Sequence, residues 1–509
     1  MERGPLELKR QAGILLPVFS LPGRYGIGSF GKGAYDFVDF LKSAGVGFWQ
    51  ILPMGPTSYG DSPYQSFSTF AGNPYFIDPD RLVEEGLLTA DETADFAVPA
   101  ETADIDYSAV YRTRYILLRK AYDRFMKNDG KSGFSGLRVE FSEFVEKNAF
   151  WLEDFALFMT CKAINGGKSF LEWELPLRMR DAEAMDQIIS EHEDEAGFQK
   201  FLQFLFSVQF TALKKYANEA GIGLIGDIPI YVAPDSSDVW ANPELYQLGA
   251  DCRPVAVAGC PPDAFSATGQ LWGNPLYKWG EHKKSGYEWW LKRLSHAFSQ
   301  CDVLRIDHFR GFESYYSIPA KNKTAEFGHW EKGPGLDFFE TVRNKLGDVP
   351  VIAEDLGFLT TEVVELVEKT GYPGMKVLQF AFDSREDSDY LPHNYTKRCV
   401  VYTGTHDNDT TRSWFSTIPE NDRRFAMDYL GLDDEEDISR ELIRAAYASV
   451  SCLAVIPMQD WLDLGGEARI NHPSTLGGNW CWRLDGSMLT DELAEEIKHM
   501  TALYARGGR

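Results

Sequence analysis

"YEWWLKRLSHAFSQCDVLRID", residues 287–307, holds two periodicities end to end. Tyr287, Trp290, Leu291, Leu294 and Phe298 keep the i, i+3, i+4, i+7 rhythm of a helix with one apolar face. The run 302–307 that follows is a short apolar strand, and it closes on charge. A continuous apolar strand is covered on both sides, which is the signature of a parallel sheet packed beneath helices. Arg305 and Asp307 lie two apart, so on a strand both point to the same side, and placing charge there is expensive unless it is paired or used.

The same unit recurs outward in both directions. Apolar, β-rich runs occupy 12–19, 48–53, 222–232, 302–307, 349–355, 376–382, 399–407 and 453–460, mostly with helical patterns between them. Eight such runs predict an α/β protein built as a closed (β/α)8 (TIM) barrel, a single catalytic unit spanning 1–509. Two spacings are too long for a simple repeat. Residues 80–200 read as a mainly helical insertion between strands two and three, and 233–285 as a loop-rich insertion between strands three and four. Only about 50 residues follow the last run, and they end in a helical pattern, so no C-terminal β-sandwich is expected.

Chemistry in such barrels gathers at the C-terminal ends of the strands. Here those ends carry Asp227, Asp307, Glu354, Asp407 and Asp460, and clustered buried acids destabilise a fold by raising one another's pKa. That concentration favours function over a set of isolated ion pairs. Arg305 beside Asp307 would keep a nucleophilic carboxylate ionised. Glu354 follows the apolar "VIA", surroundings that retain a proton for a general acid. His406 and Asp407 end the seventh run across the barrel mouth, placed to grip sugar hydroxyls, whereas Asp355 and Asp409 read as caps or ion-pair partners.

Two loops have the mixed chemistry of a polar-ligand pocket. "YGDSPYQSFSTFAGNPYFIDP" (59–79) interleaves aromatics with amides and hydroxyls, a pattern suited to stacking on sugar faces while binding their hydroxyls. Phe67 and Phe70 within it are expected to pack onto the barrel instead. "GCPPDAFSATGQLWGNPLY" (259–277) is a candidate lid or acceptor platform containing Asp263, Phe265 and Trp272. "GIGSFG" (26–31) fits GxGxxG, but no acid lies between Asp39 and Asp61, where a dinucleotide site needs one, so it reads as a loop.

Composition narrows the partners. The chain of 509 residues carries 51 Lys and Arg against 76 Asp and Glu, a net charge of −25. Such a surface repels nucleic acid and anionic membranes and suits a neutral polar ligand. Seven dispersed cysteines without CxxC or CxxH spacing read as free thiols in a reducing compartment. The charged N-terminal segment lacks an apolar core, and no stretch of 18 apolar residues occurs. The expectation is a cytoplasmic protein without metal or organic cofactor.

Seven motifs in order, "GDSPYQSFSTFAGNPY", "GDIPIYV", "PPDAFSATGQLWGNPLY", "LRIDHFRGF", "VIAEDLG", "GTHDND" and "NHPSTLGGNWCWR", span nearly the whole chain. Together they resemble the 4-α-glucanotransferases of glycoside hydrolase family 77, in the α-amylase clan. The resemblance implies transfer of α-1,4-glucan segments between maltooligosaccharide or starch chains by a retaining double displacement. It assigns Asp307 as nucleophile, Glu354 as acid/base and Asp407 as transition-state stabiliser. It further implies substrate binding by Arg305, His406, Asp227, Tyr59, Ser62, Tyr64, Gln65, Asp263, Phe265, Trp272 and Asn479. Ala264 stands where some members have an aromatic residue, and Ile470 and Ser474 also depart from the pattern. Two other readings stay open: an α-1,4-glucan hydrolase of the amylase type, and a glucan-binding protein without catalysis.

Overall fold

The unit at 287–307 is a helix, Glu288–Gln300, feeding a strand, Val303–Asp307. Trp290, Leu294 and Phe298 bury the helix's apolar stripe, so the periodicity that forms the helix also docks it. Along the strand the parity is strict. Leu304 and Ile306 join the large core between sheet and helices, whereas Val303 joins a separate cluster with Leu15, Ile225, Ile352, Val377, Val400 and Val455. That second cluster fills the barrel interior, and Arg305 and Asp307 share its side of the strand.

A computed structural model describes residues 9–507 except 59, 99–103, 128–132, 263–265, 358 and 476. Its strands are β1 (Gln11–Leu15), β2 (Phe48–Gln50), β3 (Gly223–Pro229), β4 (Ala256–Cys260), β5 (Gln270–Pro275), β6 (Val303–Asp307), β7 (Ser314–Pro319), β8 (His329–Lys332), β9 (Val351–Ala353), β10 (Gly374–Val377), β11 (Cys399–Tyr402) and β12 (Leu453–Pro457). Eight of them pair in the order β10-β11-β12-β1-β2-β3-β6-β9, every pair parallel. Between the two ends of that order, the Ala353 N–H donates to the Pro373 carbonyl at 2.9 Å. The result is a nearly closed (β/α)8 barrel, and each of its eight strands overlaps one of the apolar runs, with β1 beginning one residue and β10 two residues ahead of theirs.

Between β2 and β3 the chain is helical, with long helices at Tyr107–Met126, Ser135–Ile164 and Glu193–Glu219. The stretch 233–285 is less irregular than its Gly- and Pro-rich sequence suggests. It contributes β4 and β5 to an antiparallel sheet, β5-β4-β7-β8, whose other two strands follow β6. After β12 the described residues form no further strand, and the helix Asp491–Leu503 ends the ordered elements. Among the described residues no helix is long and apolar enough to cross a membrane.

The glycines of "GIGSFG" serve packing. A Cβ on Gly31 would stand 2.0 Å from the Asp78 carboxylate, and one on Gly28 would meet the Val18 carbonyl at 1.9 Å. Close approach of neighbouring groups fixes glycine at both positions.

Candidate active site

Register assembles the site at the C-terminal ends of the strands. Asp227 and Arg305 are direct partners across β3 and β6, and Ile306 pairs with Ala353 across β6 and β9. One step beyond that pairing, Glu354 comes level with Asp307, and its N–H donates to the Ile306 carbonyl at 3.1 Å. His406 and Asp407 enter on the turn after β11, and the 51–73 segment after β2 brings Tyr64 over the same end.

Arg305 is the hub. Its Nη1 donates to both oxygens of Asp227, at 2.8 and 2.7 Å, and its Nη2 to Asp307 Oδ1 at 2.8 Å. Burial opposes its charge, but Asp227 and Asp307 outweigh burial and hold its pKa well above the ordinary value. Asp227 is enclosed, with no exposed side-chain surface and with the Tyr64 hydroxyl donating to Oδ2 at 2.7 Å. Burial raises the pKa of the Asp227 carboxyl, and Arg305 opposes that shift. Asp227 therefore holds Arg305 from behind, whereas the Asp307 side chain is 30% exposed and opens toward the barrel mouth.

Glu354 has the opposite environment. Burial first, and the charge of Asp307 second, push its pKa up to about 8. Backbone amides meet both of its oxygens: the His308 N–H donates to Oε2 at 2.6 Å and the Leu356 N–H to Oε1 at 3.0 Å. The first contact depends on backbone geometry, since His308 adopts a left-handed conformation at φ 51° that directs its amide toward Glu354. Burial lowers the pKa of the His308 ring to about 4, leaving it neutral at pH 7. Trp272 meets that ring edge-on at 4.7 Å.

The far side of the mouth is built from aromatic stacking and a carboxylate. Tyr64 stacks on His406 at 5.1 Å between ring centroids, and Trp480 lies 5.9 Å from each. Asp407 is 48% exposed, lies 3.4 Å from His406 Nε2 and accepts from Asn471 Nδ2 at 2.6 Å. Arg469 donates to the Asp407 carbonyl at 3.0 Å and stands 3.6 Å from Asp409. Three carboxylates thus converge with different neighbours: one ion-paired and open, one protonated near neutrality, one open and hydrogen-bonded. That division suits a nucleophile, an acid and an electrostatic support.

Other residues singled out in the sequence have mixed placements. Gln65 Nε2 donates to Asn274 Oδ1 of β5 at 3.4 Å, tying the two loops together, and Ser62 accepts from the Tyr64 N–H at 3.3 Å. Asn479 turns into its own loop, accepting from the His472 N–H and donating to Thr475. Within that motif Asn471 reaches the Asp407 carboxylate and Trp480 packs against Tyr64 and His406, two positions absent from the sequence expectations. Their signal was present in "NHPSTLGGNWCWR", one amide and one aromatic removed from the chosen Asn. Tyr59, Asp263, Ala264 and Phe265 lie outside the described residues. Phe70 packs among Phe150, Trp151, Trp289 and His296, and Phe67 near Phe158 beneath Lys162. Asp460 is buried and accepts from Thr403 and the Thr411 N–H, a structural use of a strand-end acid. Among the described residues no group of three His, Cys, Asp or Glu side chains is placed to hold a metal ion.

Comparison with known proteins gives one consistent answer. The family model described as 4-alpha-glucanotransferase matches residues 16–490. A 4-alpha-glucanotransferase of Clostridium butyricum is 48% identical over 491 residues, covering 96% of this chain and 99% of that protein. One from Thermus thermophilus is 46% identical, covering 98% and 100%. Among solved structures, the amylomaltase of Streptococcus agalactiae in complex with acarbose matches with a TM-score of 0.94 at 41% identity, covering 98% of this chain and 100% of that one.

Proposed function

The chain belongs to the 4-alpha-glucanotransferase family, and on that premise we propose how its residues carry out the transfer of α-1,4-glucan segments from one chain to another. Asp307 attacks the anomeric carbon of the donor sugar. The bond from that carbon to the departing O4 breaks, and the proton of Glu354 passes to that oxygen. A β-glucosyl ester on Asp307 results. The 4-hydroxyl of an acceptor chain then replaces the cleaved piece, gives its proton back to Glu354 and attacks the same carbon, releasing the Asp307 carboxylate. Two inversions restore the α configuration.

Arg305, fixed by Asp227, holds the attacking carboxylate in place. Asn471 holds one oxygen of Asp407, which leaves the other for the hydroxyls of the sugar as positive charge develops on its ring. His406 and Tyr64 supply flat faces and donors beside that sugar, and Trp272 with His308 lines the acceptor side. One observation carries the reading: Asp307 stays open and ion-paired beside a Glu354 that keeps its proton to about pH 8. Because a relative binds acarbose, this mouth is proposed to take the same class of oligosaccharide. None of the seven cysteines is joined in a disulfide among the described residues, which fits a reducing cytoplasm.

Incubation with maltotriose tests the function. A transferase makes glucose and longer oligomers while the number of reducing ends stays constant. A rise in reducing ends would favour hydrolysis, and no change in product length would reject catalysis.

A further inference from the structure

The antiparallel sheet β5-β4-β7-β8 has a face that the site does not use. Direct cross-strand pairing aligns Leu271, Gly259, Tyr316 and Trp330 in one row, and side chains paired in this way project to the same side. Val257 and Ile318 form the next row, and with Tyr316 and Ala325 they make a small core separate from that of the barrel. Val255 lies two residues before Val257 and shares its side.

This face is capped only partly. Val255 is 57% exposed, Trp330 41% and Leu271 39%, and Phe327, on the turn leading into β8, is 76% exposed, the highest of any large apolar residue described. Single exposed apolar residues are ordinary, whereas four around one sheet face mark a binding surface. The turn beneath Phe327 is well fixed: the Ala325 N–H donates to Thr268, the Gly328 N–H to the Tyr316 hydroxyl, and Asn322 Nδ2 to the Phe327 carbonyl. Trp330 is fixed too, with the buried Arg310 guanidinium 3.9 Å from its ring centre and Tyr316 edge-on at 5.2 Å. Held aromatic rings with open surface bind with little loss of side-chain freedom.

The surface is tied to the segment that carries the nucleophile at one point: the Trp330 ring stacks on Arg310, three residues beyond Asp307. Leu271, at the other edge, adjoins Trp272, which turns to the opposite side of the sheet and touches His308. A net charge of −25 disfavours an anionic partner or a second copy of the chain, but places no penalty on a neutral one.

We propose that this face is an outlying glucan ledge, on which a long α-1,4-glucan lies with its sugar faces against Phe327 and Trp330 while its end occupies the cleavage site. The inference rests on the glucan-transfer reading above. It requires the enzyme to prefer long chains through residues that a three-sugar substrate never reaches.

The test compares the unmodified enzyme with Phe327→Ala, Trp330→Ala and the double variant on maltotriose and on amylose. Each ring removed raises KM for amylose about three- to tenfold, while kcat/KM for maltotriose stays within about twofold. Phe327→Ala removes a ring too exposed to support the fold, so its result stands even if the Trp330 variant is unstable. An unchanged KM for amylose overturns the ledge, as does a parallel loss on both substrates. A dimer in sedimentation that Phe327→Glu dissociates also overturns it, by assigning the face to a second copy. An unmodified enzyme inactive on maltotriose would instead refute the glucan-transfer reading itself.

Discussion

Two arginines, one at each end of the barrel, are buried for different purposes. Arg305, at the C-terminal end of the strands, is held by the carboxylates of Asp227 and Asp307. Arg506, at the N-terminal end, meets no acid among the described residues. It donates to the carbonyls of Gln11, Ala446, Tyr447, Ser449 and Ser451 and to the Ser451 hydroxyl. Arg10 reaches the carbonyls of Tyr447, Ser449 and Tyr504 beside it. The pKa of Arg305 is held well above its usual value, while burial and the charge of Arg10 bring that of Arg506 down to about 9. Full charges paired with full charges form the reactive end. Dipoles gathered around one cation tie Arg506 to the start of β1 and to the 446–451 segment before β12. The contrast matches the general division of such barrels into a catalytic and a stabilising face.

The comparison is tested most severely at the nucleophile. Asp307→Asn keeps the shape and a hydrogen-bond acceptor for Arg305 but cannot form the ester. Transfer on maltotriose should fall by about 10⁴-fold or more with the thermal transition little changed. Retained turnover would remove Asp307 from that role.

Next come the arginines themselves. Arg305→Met leaves two facing acids and should lower kcat by about 10²–10³-fold, with a stability loss that lessens as pH falls and the buried Asp227 takes up a proton. Arg506→Met takes a donor from six acceptors, of which only the carbonyls of Tyr447 and Ser449 keep Arg10. It should remove about 3–5 kcal/mol of stability, measured by urea unfolding, with kcat of the folded enzyme unchanged and no pH dependence of the loss between about pH 5 and 8. If the two variants behave alike, the division between the two ends fails.

The smallest effect concerns Glu354. Its pKa is raised in the folded chain, so the unfolded state ionises first as pH rises. Folding stability contributed by this group therefore falls from about pH 4.5 to about pH 8 and is flat beyond. Glu354→Gln removes that penalty. Its melting temperature should equal that of the unmodified enzyme near pH 4 and exceed it by a few degrees at pH 9. In the unmodified enzyme kcat/KM should decline above about pH 8 as the acid is lost. A variant less stable at pH 9 would show that the fold does not raise the pKa of Glu354.

The barrel was legible because each of its strands is a compact apolar run, and parity alone placed Arg305 and Asp307 on the interior side. The second sheet was not, because β4 and β5 contain Gly and Pro and their pairing is distant: Ala256 meets Pro319, across the whole of β6. In the site, the acids announced themselves by ending strands. The link from Arg305 to Asp227 depends on the register of β3 against β6, which no local pattern encodes. The contact of Asn471 with Asp407 escaped the sequence for a related reason, since it joins two turns 64 residues apart.

The two amides on Glu354 have a consequence for anyone redesigning this protein. A carboxyl group offers about four acceptor positions, and here the main chain occupies one on each oxygen. Whichever oxygen carries the proton, it is directed along what the backbone leaves open. Side-chain substitution can retune how dry or how charged the neighbourhood is, but those two donors belong to every amino acid except proline. Proton strength in this scaffold is thus open to selection, while proton direction is written into the chain itself.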